Sequence, residues 1–160
     1  MNILIAMLAL ISLAFAEVPY PRAATGLELG VARLSGKGES VIGTSWMYHF
    51  ESQPDKYVTF FGQAGNSTGK EGDVRISQTS FGGGAEFDVL PVLGLRVGVA
   101  TAIAEVEKNG VKDKEQEFGP FAGLAMNVTS GVFKFGTTAT VMRTETVRSL
   151  ALRGFVFIEF

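Results

Sequence analysis

From residue 27 to the C-terminus, apolar and small or polar positions alternate in stretches about ten residues long, the length of a membrane-crossing strand. Leu27, Leu29 and Val31 share one parity, and Glu28, Gly30 and Ala32 the other. Ile42, Thr44, Trp46, Tyr48 and Phe50 alternate with Val41, Gly43, Ser45, Met47 and His49. Similar series run through 80–89, 95–104, 133–141 and 150–160, while 57–65 and 118–127 are strand-like in composition but mixed in parity. A period of two marks a strand whose faces meet different surroundings. No helical period follows Pro21. The reading is eight strands, the smallest number usual for a membrane-spanning barrel.

The connections predict an up-and-down order. Segments 35–39, 66–73, 105–117 and 143–149 are charged or glycine-rich and read as longer loops. Segments 51–56, 90–94 and 128–131 read as short turns. Long loops on one rim and short turns on the other are the arrangement of outer-membrane barrels, with the short turns periplasmic.

Residue size decides which face points inward. Ser80, Gly82, Gly84, Glu86 and Asp88 share a face, as do Arg96, Gly98, Ala100, Ala102 and Ala104. Small residues and pairable charges suit a narrow interior. Phe81, Phe87, Val97, Val99 and Ile103 lie opposite; such a surface facing water all round would aggregate, whereas lipid tolerates it. The fold class expected is all-β: an eight-stranded antiparallel up-and-down transmembrane β-barrel. A soluble, lipocalin-like barrel enclosing an apolar ligand is the competing architecture. Trp46, Tyr48, Phe50 and Tyr57 are expected to bracket the turn at 51–56. Phe87, Phe133, Phe135 and Phe160 would complete an aromatic girdle at the membrane border.

The N-terminus does not fit the barrel pattern. Ile3 to Ala16 is almost wholly apolar and ends in Ala14-Phe15-Ala16. It is shorter than the ~20 residues of a spanning helix, and the small-x-small ending suits a signal peptidase. Residues 1–16 therefore read as a cleavable signal peptide and 17–160 as the barrel domain. Met1-Asn2 lacks the usual Lys or Arg.

Composition then removes whole classes of function. Charged residues are 19% and the net charge is −2, so no basic surplus exists to neutralise nucleic-acid phosphates. There is no cysteine, which excludes disulfides, thiolate metal sites and cysteine nucleophiles. A single histidine excludes a histidine-pair metal site within the chain. No metal and no cofactor is expected.

Two segments carry a family resemblance. Ser80-Phe-Gly-Gly-Gly-Ala-Glu-Phe-Asp-Val-Leu-Pro-Val-Leu-Gly-Leu-Arg-Val-Gly-Val resembles the central hairpin of small bacterial outer-membrane β-barrels, the OmpA/OmpX-like group. The ending Phe155-Val-Phe-Ile-Glu-Phe160 resembles their C-terminal assembly signal. The resemblance implies export to the Gram-negative outer membrane, contact with its lipids and lipopolysaccharide, and recognition of Ile158 and Phe160 by the barrel-assembly machinery. A closed barrel has no edge that demands a partner, so a monomer is expected.

If the small face is inward, the lumen holds Glu28, Glu86, Asp88 and Glu159 with Arg96, Lys134 and Arg153. Isolated charges there would be costly, so they should pair. A turn at 90–94 sets Asp88 opposite Arg96; a matching register in the last hairpin sets Lys134 opposite Glu159 and Thr140 opposite Arg153. Eight strands leave room for side chains and little else, which favours a charged plug over an ion path.

No catalytic residue emerges. Lipid A-modifying barrels need a His, a Ser and an acid near the outer leaflet. Here His49, the sole candidate base, is expected inward near the short-turn rim beside Ser45. Gly82-Gly83-Gly84 lacks the helix and Lys of a phosphate loop. Segment 105–117, rich in Glu and Lys, reads as a solvated tip, and Arg33 and Arg143 fall within reach of lipid phosphates. The expected function is structural or interactive, at the cell surface and non-enzymatic. The alternatives are a narrow porin-like channel for ions or small solutes and a lipid A-modifying enzyme.

Overall fold

The computed structural model describes residues 20–160; the signal-peptide reading of residues 1–16 lies outside them. Eight strands follow one another: β1 Arg22–Gly36, β2 Glu39–Gln53, β3 Val58–Glu71, β4 Val74–Leu90, β5 Leu93–Lys108, β6 Val111–Ser130, β7 Phe133–Arg143 and β8 Val147–Glu159. Each pairs antiparallel with its sequence neighbours, and β8 returns to β1, closing the barrel. Closure pairs the backbone without leaving a continuous sheet edge, the condition a bilayer imposes.

The faces divide by size. Phe87, Val97, Val99 and Ile103 point outward at 38–46% exposure, while Glu86 and Arg96 are 0% and 1% exposed. The two strands of mixed parity resolve the same way. In β3, Thr59, Phe61 and Ser67 are buried inside and Phe60 is exposed; in β6, Phe121 and Ala125 are inside and Phe118, Leu124 and Met126 outside.

The expected contrast in loop length is not found. Residues 66–71 belong to β3, 105–108 to β5 and 111–117 to β6, so connections are short on both rims. Lys37-Gly38 (φ 50° and 81°) and Asn109-Gly110 (φ 52° and 78°) are two-residue turns with positive φ at both positions. That backbone matches the right-handed twist of the strands it joins. On the other rim, Asp55 Oδ1 accepts from the Tyr57 and Val58 amides at 2.7 and 3.1 Å, closing the β2–β3 connection.

The segments read as loops are strands because the faces exchange character along the barrel axis. Toward the Lys37 rim, the inward residues are Leu34, Val41, Ile76, Val106 and Val147, which form one apolar cluster with Ala32, Ala104 and Ala151. Outside at that height stand Arg33, Lys70, Arg75 and Lys112, all exposed. This end is built like an ordinary water-soluble barrel; the remainder is built the other way round. Charged outward positions made the upper strand segments look like loop.

Two registers also differ from expectation. Glu86, not Asp88, faces Arg96, and Asp88 faces Gly94. The turn is only Pro91-Val92, and an irregularity between Asp88 and Leu90 absorbs the extra residue. In the last hairpin Lys134 faces Phe157 and Thr138 faces Arg153, because pairing continues up to Arg143↔Arg148.

Candidate functional site

Many ionisable side chains converge, buried, in the barrel interior. Its centre is Arg96 on β5. Nε lies 2.5 Å from Glu86 Oε2, Nη1 2.7 Å from Glu28 Oε1 and Nη2 3.2 Å from Glu51 Oε1. Lys134 Nζ takes the other Glu51 oxygen at 2.7 Å. Glu28 Oε2 accepts from Thr138 at 3.1 Å and lies 3.6 Å from Arg153 Nη1. Arg153 Nε donates to Ser45 at 2.7 Å, and Ser45 shares a 2.7 Å bond with Ser67. Asn127 donates to Glu86 Oε1 at 3.3 Å. Three carboxylates thus meet three cations with nearly every oxygen engaged, as buried charges require.

Glycine at position 98 makes room beside this cluster. A Cβ there would stand 2.4 Å from the Phe121 ring and 2.4 Å from the Gly83 carbonyl. Phe121 can therefore lie against Phe61, at 5.9 Å between centroids. Phe61 and Phe155 also flank the Arg96 guanidinium, at 5.3 and 5.9 Å. Aromatic faces favour a cation and exclude water from its neighbourhood.

The mouth at the Lys37 rim is closed separately. The Leu34–Val147 cluster fills it, and two ion pairs cross it. Lys108 Nζ is 2.5 Å from Glu39 Oε1, and Lys37 pairs with Asp113. The β1–β2 and β5–β6 hairpins lie on opposite sides of the barrel, so these contacts tie opposing walls together. At the other end Arg22 Nη1 meets Glu159 Oε2 at 3.1 Å. Among the described residues no group of His, Asp and Glu could hold a metal ion.

No protein-family model matches the sequence, and no curated protein matches it. Solved structures do match. Ail, the attachment invasion locus protein of Yersinia pestis, superposes with a TM-score of 0.66 at 10% identity, over 89% of this chain and 100% of that one. Neisserial surface protein A superposes with a TM-score of 0.62 at 18% identity, over 86% and 97%. Ail has also been solved in complex with the heparin analogue sucrose octasulfate, a match with a TM-score of 0.62 at 9% identity, over 89% of this chain and 100% of that one. The chain has the fold of the small eight-stranded outer-membrane barrels.

Within this outer-membrane-type barrel the seven lumen charges named from sequence do not form one group. Glu28, Glu86, Arg96, Lys134 and Arg153 share the central cluster. Asp88 stands apart, within 3.4 Å of Gln53 Nε2, and Glu159 belongs to the rim pair with Arg22. Glu51 joins the cluster although the sequence reads 51–56 as a turn: β2 runs on to Gln53 and Glu51 is buried. The signal was available, since Glu51 continues the inward series Ser45, Met47, His49. The apolar plug at the Lys37 rim, by contrast, is seen only in the structure.

Tyr48, Phe50, Tyr57, Phe87, Phe133 and Phe135 are exposed on the outer wall toward the Pro91 rim. Trp46 is exposed too, but at the centre of β2 and away from that rim. Ile158 and Phe160 point outward at the end of β8. His49 lies between Phe61 and Phe157, each 5.6 Å away, with Nε2 3.3 Å from Glu28 Oε1. Ser45, its expected companion, is bonded to Ser67 and Arg153 instead.

Proposed function

We propose that this protein is a small, non-enzymatic barrel of the Gram-negative outer membrane, with a structural or interactive role at the cell surface. The observation that carries the reading is the exchange of faces: an apolar wall outside a charged lumen, then a polar wall outside an apolar plug. Such a wall has two solvents, lipid around the lower part and water around the Lys37 rim. The β3–β4 and β5–β6 hairpins then stand clear of the membrane as the surface offered to partners.

The lumen does no transport on this reading. A satisfied ion cluster and an apolar plug lie in series, and either would stop a hydrated ion. Tyr48, Phe50, Tyr57, Phe87, Phe133 and Phe135 form the periplasmic girdle, with Trp46 deeper in the lipid. Ile158 and Phe160 serve as the assembly signal, read by the barrel-assembly machinery. The barrel works as a monomer among outer-membrane lipids and lipopolysaccharide, after export through the signal peptide at 1–16.

Fractionation with a heat-shift gel, joined to planar-bilayer recording, tests this. The protein should be sarkosyl-insoluble, migrate faster unheated than heated, and give no single-channel steps. Steps abolished by Arg96→Met would instead establish the channel reading. Recovery in the soluble periplasm would end the membrane reading altogether.

A further inference from the structure

Three arginines stand on the outer wall where the apolar band ends, on adjacent strands β7, β8 and β1. Arg143 and Arg148 are direct cross-strand partners, and both are exposed. Arg33 on β1 is level with Leu150 and one step from Arg148, which faces Ser35. Directly beneath lie Val141, Leu150, Leu152 and Val31, each 52–58% exposed. The wall passes from hydrocarbon to guanidinium within one outward position.

No ion pair among the described residues involves any of the three arginines. Their one side-chain hydrogen bond is Arg33 Nε to Ser40 Oγ, at 2.9 Å. Neighbouring strands offer no carboxylate on the outer face at this height. β2 presents Ile42 and Ser40, and β6 presents Pro120 and Phe118. Glu117 and Glu115 bond Thr146, and Glu145 sits exposed in the turn above. On the opposite wall Lys70 and Arg75 are also cross-strand partners, but acids stand among them: Arg75 faces Glu107 as well, and Lys112 lies 3.6 Å from both Glu105 and Glu107.

Like charges directly opposite across an antiparallel pair destabilise it. Arg143 stays opposite Arg148 with neither guanidinium paired to an acid, Glu145 included, so a bound anion would offset their repulsion. Guanidinium forks match phosphate oxygens in a planar, two-point geometry that Lys does not reproduce. The border of the hydrocarbon layer is where lipid phosphates lie. We propose that Arg143 and Arg148, flanked by Arg33, bind the phosphate of an anionic lipid in the outward-facing leaflet. This rests on the membrane-spanning reading given above.

The test uses the protein refolded into phosphatidylcholine nanodiscs with or without a minor share of phosphatidic acid. Insertion is first verified by the heat-shift gel, and retained lipid is then counted by native mass spectrometry. The wild type should hold phosphatidic acid over phosphatidylcholine by about tenfold. The double variant Arg143→Gln, Arg148→Gln should lose that preference, and Lys70→Gln, Arg75→Gln, which removes equal charge elsewhere on the wall, should keep it. In pure phosphatidylcholine the Arg143→Gln, Arg148→Gln variant should unfold at higher urea than the wild type, and phosphatidic acid should stabilise only the wild type. Equal retention by all three proteins would overturn the site. Competition by inorganic phosphate at matched concentration would make it a site for soluble phosphate and overturn the lipid assignment. Failure of the wild type to insert would remove the membrane reading itself, and this inference with it.

Discussion

Arg96→Met tests how the lumen is held together. The change keeps a long apolar stem and removes the guanidinium. Bonds of 2.5, 2.7 and 3.2 Å to Glu86, Glu28 and Glu51 go with it. Three carboxylates then remain in a cluster with two cations, Lys134 and Arg153. Truncating one partner of a buried pair costs ~3–5 kcal/mol, most of it from the charge left behind. Water entry and protonation of one carboxyl relieve part of this, so the loss should be about 3 kcal/mol, roughly a hundredfold in the folding constant. Urea unfolding in phosphatidylcholine vesicles measures it. Trp46 is the only tryptophan and is 46% exposed on the outer wall, so its emission reports passage from lipid to water. Adding Glu86→Gln in the Arg96→Met background should return part of the loss, because one uncompensated charge disappears. A loss under about 1 kcal/mol, the range of an exposed pair, or no recovery in the double variant, would refute the reasoning. The apolar layers alone would then hold the barrel.

Gly98→Ala should cost about 1–3 kcal/mol in the same assay by overpacking, since its Cβ would meet the Phe121 ring and the Gly83 backbone; an unchanged midpoint would show that Phe121 has somewhere else to go. Glu117, above the apolar band, carries a pH dependence. Burial opposes ionisation there, but hydrogen bonds from Thr144 and Thr146 hold its carboxyl below the usual carboxylate range. Its contribution is therefore complete above the ordinary value of about 4.3 and fades as pH falls through the lower folded value. Amide-exchange protection of Thr146, corrected for intrinsic rate, should fall over that acidic window and become flat with pH in Glu117→Gln. Phe160→Ala should leave refolding into vesicles nearly unchanged while lowering the heat-shifted fraction made in cells; equal losses in both would assign Phe160 to stability rather than to assembly.

Six of the eight strands were legible because a wall whose two faces meet different surroundings imposes a period of two. In β5, Leu95, Val97, Val99 and Ile103 against Arg96, Gly98, Ala100 and Ala102 declared both the strand and its inward face. The same logic was less informative where bulk sits on both faces. Phe60 and Phe61 are adjacent, and Phe121 points inward among small residues, so β3 and β6 had no readable parity. The upper wall defeated composition for a different reason. Lys, Glu, Asp and Gly between 66 and 73 and between 105 and 117 suggest loop, yet their partners across the hairpin continue the ladder, with Lys70 facing Arg75 and Glu107 facing Lys112.

The sequence by itself determined the strand number, the apolar outward set, and most of the charges in the lumen, because each follows from a residue's own size and parity. Only the tertiary structure decided which charges meet. A hairpin register depends on where pairing stops at the turn, and the short Pro91-Val92 turn with its irregularity moved Arg96 from Asp88 to Glu86. Closure of the barrel then brought Glu28 of β1 and Glu51 of β2 to the same guanidinium. The plug at the Lys37 rim has the same origin: Leu34, Val41, Ile76, Val106 and Val147 come from five strands, and they form a core only once β8 has paired with β1.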